Sequence, residues 1–309
     1  MQAPRKYSLP PSNTVYEIDG ATIGPGDDLV DAIKSSIYRR LASRNLDIPR
    51  LPQVAGRILE LSANPDTSID DVVQIVATDP ILATRILTIA NSATYVGSGR
   101  IDGLKPALLS LGSKAVRELV FAESIRMRIF SARAYREILE QSWRLSLGTA
   151  VACEALSRAT GLERNGAFLL GLLHDTGTPV LVNAVSEYER QNGGRSLGRE
   201  LVEILILQMH EEIGAHVLSE WGMPPSVVGA AGAHHRYRGA GKSTPGCSLV
   251  YAGNLICQHL GIGDVQRDVD FSIEHVFVEL RLADCDQVAP ILDTVTNVFE
   301  SLMAGVQQN

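Results

Sequence analysis

From Leu29 onward, apolar residues return every three or four positions, and segment after segment is opened or closed by a residue suited to capping a helix. In "LVDAIKSSIYRRLASRNL" the residues Leu29, Ile33, Ile37 and Leu41 form one stripe, the mark of an amphipathic helix. Two prolines in "DIPRLPQ" end it. In "NPDTSIDDVVQIVATDP", Ser68 is placed to cap a helix whose first turn carries Asp70 and Asp71 against the positive end of the helix dipole. Asp79 caps the following helix, with Pro80 at its first position, where a missing N–H costs nothing. That helix, "PILATRILTIANSA", is apolar on most faces and belongs inside, with Asn91 to Ala93 read as its C-terminal end. Gly112 stops another helix, and Ser113 starts one that runs toward Phe130.

The same texture continues through "YREILEQSWRLSLGTAVACEALSRAT", "NGAFLLGLLHD", "LVEILILQMHEEIGAHVLSEWG", "PSVVGAAGAHH" and "SLVYAGNLICQHL" to a last stripe near "VAPILDTVTNVFESLM". Runs of alternating residues joined by hairpin turns are missing. "HVFVEL" has the composition of a strand but nothing to pair with. An all-α protein is expected, in two lobes meeting near residues 131 to 140 and preceded by a flexible arm, residues 1–28, rich in Pro, Gly, Ser and Asn.

Composition narrows the function. A chain that is 45% apolar but only 5% aromatic must build its core mostly from Leu, Ile, Val and Ala, which suits packed helices. The net charge of −7 argues against a general nucleic-acid binder, since neutralising phosphates takes a basic footprint. Two arginine clusters, Arg39, Arg40, Arg44, Arg50 and Arg126, Arg128, Arg133, Arg136, Arg144, are read as solvated helix faces. Cys153, Cys247, Cys257 and Cys285 form no C-x-x-C pair and are read as reduced thiols of a cytoplasmic protein. The apolar run Ala167 to Leu173 is far shorter than the roughly 20 residues of a membrane span, so no membrane partner is expected.

Chemistry concentrates at "GLLHDTGTPV". His174 and Asp175, adjacent on a greasy segment, would project about 100° apart on a helix and can share a site only near its end. Gly177 is positioned to help end that helix. His210, in "QMHEEIGAH", and the pair His234 and His235, in "AGAHHRY", are expected to add imidazoles on two further helices. With Asp175 these three would make a donor set for one divalent transition metal, iron, manganese or zinc. The competing reading is a buried hydrogen-bonded network with no ion. His216, His259 and His275 are left as structural or surface residues.

Residues 51 to 95, "LPQVAGRILELSANPDTSIDDVVQIVATDPILATRILTIANSATY", followed by "IDGLKPALLSLG", resemble the HDOD family of bacterial signalling domains. The resemblance rests on Asp79-Pro80, Asn91-Ser92-Ala93 and Leu111-Gly112. The second lobe resembles the HD phosphohydrolases, the HD-GYP branch in particular, through His174-Asp175, "HEEIGAHVLSEWGMP" and "HH". It implies an N-terminal helical HDOD lobe, residues 29–135, and an HD-like lobe with C-terminal helices, residues 136–309.

The same resemblance implies where an active enzyme would carry its groups, and three are replaced. The first ligand His corresponds to Leu145, the last ligand Asp to Asn254, and a Lys after the doublet to Thr178, while the "GYP" signature is missing after "HHRYRGAG". Thr178 before Pro179 also reads as a helix N-cap. The set resembling the second metal position, Asp175, His210, His234 and His235, is complete. The expectation is therefore a non-catalytic regulatory module with no catalytic residues and a degenerate metal site. Its implied partners are signalling proteins, with room for a nucleotide ligand. The alternative is a metal-dependent phosphohydrolase acting on a nucleotide or cyclic dinucleotide, with His174 orienting water.

Overall fold

A computed structural model describes residues 16–18, 21–23, 27–43, 45–64, 66–91, 101–130, 134–163, 166–194, 196–236, 244–263 and 265–304. The protein is all-α, with one addition inside the expected arm: strands β1 (Tyr16–Ile18) and β2 (Ala21–Ile23) pair antiparallel, Glu17 opposite Thr22. Three residues per strand are too few for an alternating pattern to register in the sequence.

The N-terminal helices grow from the caps. Helix α2 (Gln53–Ala63) precedes α3 (Ile69–Ala77), which opens with a full capping box: Asp71 N–H donates to the Ser68 hydroxyl and Ser68 N–H to the Asp71 carboxylate. Asp79 accepts from the N–H groups of Ile81 and Leu82, both at 3.1 Å, to start α4 (Pro80–Ala90). Asn91 ends α4 as expected and does more. Its amide donates to the carbonyls of Leu87 and Ile101, and Ile101 N–H returns a bond to its oxygen at 2.8 Å. One side chain thus fixes the chain ten residues further on. Helices α5 (Leu104–Leu111) and α6 (Ser113–Ile129) meet at Gly112, whose φ of +83° favours glycine.

The following helices are organised on α7 (Arg136–Thr160), 25 residues long, with α8 (Ala167–Leu173), α12 (Pro245–His259) and α14 (Cys285–Ala304) packed around it. The continuous apolar core that begins at Ala55 in α2 runs through these helices to Met303. A second cluster unites α1 (Asp27–Ala42), α9 (Gly177–Gln191) and α10 (Arg199–Glu220). Ile33 and Ile37 of the first predicted stripe are buried there, so α1 lies on α10. Polar ties reinforce the contact: Tyr38 donates to Glu212 at 2.7 Å, and the Trp221 indole donates to the Pro49 carbonyl at 2.8 Å. Two short helices complete the chain, α11 (Pro225–Ala231) and α13 (His275–Glu279). The segment "HVFVEL" forms α13, because without a partner strand its backbone groups are satisfied only locally, while Val276 and Phe277 enter the core.

Residues Ala167–Gln191 together are long and apolar enough to cross a membrane, yet 89% of their most apolar window is buried inside the protein. Two glycines explain how the middle of this stretch is held. A Cβ at Gly171 would lie 2.4 Å from the Thr149 carbonyl oxygen of α7, and one at Gly177 would lie 2.0 Å from the His210 carbonyl oxygen of α10. Gly177 begins α9; its task is close backbone contact with α10, where the sequence suggested a helix stop. The turn His174 to Thr176 is therefore wedged between α7 and α10 by bare backbone on both sides.

Candidate metal centre

A cavity of about 170 Å³ opens at that turn, walled by α7, α10, α12 and the residues after α11. All five sequence-predicted residues, His174, Asp175, His210, His234 and His235, line it. Among the described residues, the group whose ligand atoms all lie within 4.8 Å of one another is His210, His234 and His235. His174 and Asp175 stand beside that group. The His174 ring is edge-on to His234, with centroids 4.8 Å apart.

Imidazole tautomers follow from the backbone. His174 Nδ1 is 2.7 Å from the Gly171 carbonyl, His210 Nδ1 is 2.7 Å from that of Ile206, and His234 Nδ1 is 3.0 Å from that of Ala231. A carbonyl only accepts, so each Nδ1 carries the proton and each Nε2 presents a lone pair. Yet His210 Nε2 lies 3.1 Å from His234 Nε2 and 3.1 Å from His235 Nε2. An Nε2–H on His235 satisfies the second contact. The first has no proton to share.

A further proton, which would charge one of these rings, is disfavoured. Burial, followed by the neighbouring imidazoles, holds His234 well below the usual range of a histidine. Burial lowers His174 too, against the pull of Asp175. His235 is exposed as a residue, but its Nε2 faces inward to His210, and burial, then His210, push it down to about 4. Neutral rings with converging lone pairs are the state a cation requires. Metal–nitrogen bonds of about 2.0–2.1 Å place cis ligands about 2.9 Å apart at a right angle and about 3.4 Å apart at the tetrahedral angle. The observed 3.1 Å falls between them. The pairs His210–His234 and His210–His235 thus have the spacing of neighbouring ligands on one ion, within a set of three whose ligand atoms spread up to 4.8 Å. Glu211 supports the set by accepting the His235 backbone N–H at 2.9 Å and pairing with Arg236.

Asp175, the expected carboxylate ligand, is held by hydrogen bonds. One of its oxygens accepts from Ser142 on α7, the other from Thr178 at 2.7 Å. Thr178 is therefore not the N-cap that its place before Pro179 suggested. Thr176 occupies that position, and Thr178 spends its hydroxyl on the carboxylate. Each carboxylate oxygen retains a lone pair, so Asp175 can still face a cation at reduced donor strength. Leu145 lines the cavity and offers no donor. Asn254 lines it also, but its amide oxygen accepts from Thr149 at 2.7 Å. The side of the cavity where a second cation would sit is left with few ligands.

Sequence reading missed Ser142, which lies three residues before Leu145 on the same face of α7; that spacing was the available signal. It also missed the rim, where Arg199 bonds to Glu137, Gln141 and Glu203 at 2.6 to 2.9 Å, the last two lining the cavity. Nothing local in the sequence announces a contact between α7 and α10.

Comparison with known proteins agrees with this architecture. A Shewanella amazonensis SB2B protein whose name proposes a metal-dependent phosphohydrolase shares 21% identity, covering 89% of this chain and 99% of its own, with a TM-score of 0.68. An HDOD domain protein of unknown function from Geobacter sulfurreducens shares 20% identity over 88% of this chain and 97% of its own, at 0.66. One from Marinobacter aquaeolei VT8, named as a proposed signal transduction protein, shares 23% over 91% of this chain and 66% of its own, at 0.64. At these identities the likeness establishes the fold. An uncharacterized protein of Treponema pallidum (strain Nichols) is 24% identical over 269 residues, 84% of this chain, and the chain spans about half of that relative's length, 51%. The HDOD domain profile matches residues 48–237, more than half of the sequence and inclusive of all five candidate ligands, so the chain belongs to the HDOD domain family.

Proposed function

We propose that the protein is a non-catalytic signal-transduction module of the cytoplasm whose cavity holds at most one divalent ion in a structural or sensing role. The observation that carries this reading is the pairing of Leu145 with a carboxylate, Asp175, whose two oxygens are already bonded to Ser142 and Thr178. Phosphodiester hydrolysis profits from two cations, one activating water and one stabilising the leaving oxygen. A hydrocarbon at the first position and an amide engaged by Thr149 at the other remove donors from that pair. Among the described residues, no Lys or Arg lines the cavity to meet a phosphate. In this reading the output passes through surface contacts with other regulatory proteins, and any nucleotide acts as a ligand.

The competing reading, a single-metal phosphohydrolase, draws on the converging Nε2 atoms of His210 and His234. One experiment separates them. Purified protein loaded in turn with manganese, iron and zinc is incubated with bis(p-nitrophenyl) phosphate and with cyclic dinucleotides. The expected result is no turnover above the metal-only control. Turnover that disappears in Asp175→Ala would overturn the non-catalytic reading.

A further inference from the structure

A second cavity, also about 170 Å³, lies on the opposite side of α7 from the histidines. At 100° per residue, Ser142 and Leu145 occupy one face of α7 while Leu147, Val151, Glu154 and Arg158 occupy the other. The second face meets α5 and α6 at Leu111 and Leu119, Phe168 of α8, and a stripe of α14 formed by Thr294, Val298 and Leu302. Three helical stripes of hydrocarbon thus enclose a gap between the N-terminal helices and those packed on α7. Its volume compares with the about 150 Å³ that admits benzene into an engineered apolar cavity.

One end of the gap is polar. Arg158 is 70% exposed there, and the Glu118 side chain 22% exposed, so this end faces water. The four charges around it are unevenly shared. Glu154 is bonded to both Lys114 and Arg158. Glu118 has a longer, weaker contact with Lys114, at 3.7 Å. Burial, its largest influence, pushes this carboxyl up to about 7, and Lys114 only partly opposes it. A half-buried carboxylate short of donors, at the mouth of an apolar cavity, is complementary to a cationic head on an apolar body.

We infer that this cavity is a binding site for a small arylalkyl- or alkylammonium ligand, its hydrocarbon lodged among Leu119, Leu147, Val151 and Val298 and its ammonium bonded to Glu118. An anionic head would meet Glu118 itself, and a neutral one would leave the carboxylate with only its long contact to Lys114. Ligand size is bounded by the cavity at about one ring or six to eight carbons.

The test uses the full chain at pH 8, with 2-phenylethylammonium, 2-phenylethanol and 3-phenylpropionate titrated by calorimetry and ligand-observed NMR. The ammonium compound is expected to bind about tenfold more tightly than the alcohol, with the propionate weakest. Glu118→Gln should lower its affinity to that of the alcohol while leaving alcohol binding unchanged, and Val151→Phe should abolish both by filling the cavity. The inference is overturned if none of the three binds, if the alcohol or the propionate equals the ammonium compound, or if Glu118→Gln leaves the ammonium affinity unchanged. Glu118→Gln preserves shape at a position 22% exposed, and so reports even if Val151→Phe fails to fold.

Discussion

His210 and His234 face each other through Nε2 atoms 3.1 Å apart, with both Nδ1 protons already given to the carbonyls of Ile206 and Ala231. Two acceptors so placed repel unless a cation stands between them. Purified protein is therefore expected to take up one transition-metal ion per chain, measured by elemental analysis after dialysis. At an ion concentration of 100 times Kd, stabilisation of about 2.7 kcal/mol should appear in urea unfolding. His210→Ala should weaken the ion by more than the roughly 10- to 100-fold typical of changes outside the ligand set. Metal uptake undiminished in His210→Ala would show that the ion sits elsewhere.

Restoring the missing donors should change the stoichiometry. Leu145→His with Asn254→Asp returns an imidazole and a carboxylate to the cavity wall. The double variant is expected to bind two ions where the native chain binds one, again by elemental analysis. A stoichiometry that stays at one would mean that the ties of Asp175 to Ser142 and Thr178, and not the lost ligands, close the second position.

Ser142→Ala tests those ties directly. Asp175 is 8% exposed, and its carboxylate would lose one of two donors. A loss of about 1–3 kcal/mol in metal-free protein is expected from urea midpoints. Unchanged stability would indicate that water replaces the hydroxyl without cost.

Gly177→Ala should be among the most damaging single methyl additions in the chain. The new carbon would lie 2.0 Å from the His210 carbonyl oxygen, against a backbone that cannot rotate away. Destabilisation of about 3 kcal/mol or more is expected, with metal uptake lost in the same variant. Gly112→Ala, where φ is +83° but nothing lies within 4 Å, should cost about 1–3 kcal/mol through backbone strain alone.

Glu118 gives stability a specific pH dependence. Its folded carboxyl titrates near 7 against an ordinary 4.5, so between those values the folded state holds the extra proton. Stability contributed by this group is full below about pH 4.5 and falls as pH rises through 7. Glu118→Gln should therefore be more stable than the native chain at pH 8, by about 1–2 kcal/mol after allowance for screening, and equal to it at pH 4. Urea midpoints at both values check the sign.

Much of this was legible in the sequence because caps and stripes are local. Ser68, Asp79 and Gly112 each act through neighbours within four residues, and each stands where the pattern placed it. The strand pair at Tyr16–Ile18 and the helix at His275–Glu279 were not, since short segments carry too few residues to reveal a period. The four histidines could be gathered on paper, but the division of labour within the site could not. Which atom of Asp175 meets Ser142 depends on how closely α8 approaches α7, and that spacing is set by Gly171 against Thr149. Thr178 misled for the same reason: a hydroxyl beside a proline reads as a cap until a carboxylate three residues earlier is seen within reach.

The unbroken run of α7 makes it a strut about 37 Å long with a pocket hung on either flank. Tilting or sliding this rod to widen one pocket shifts the opposite flank by the same stroke, so neither chamber can be remodelled in isolation.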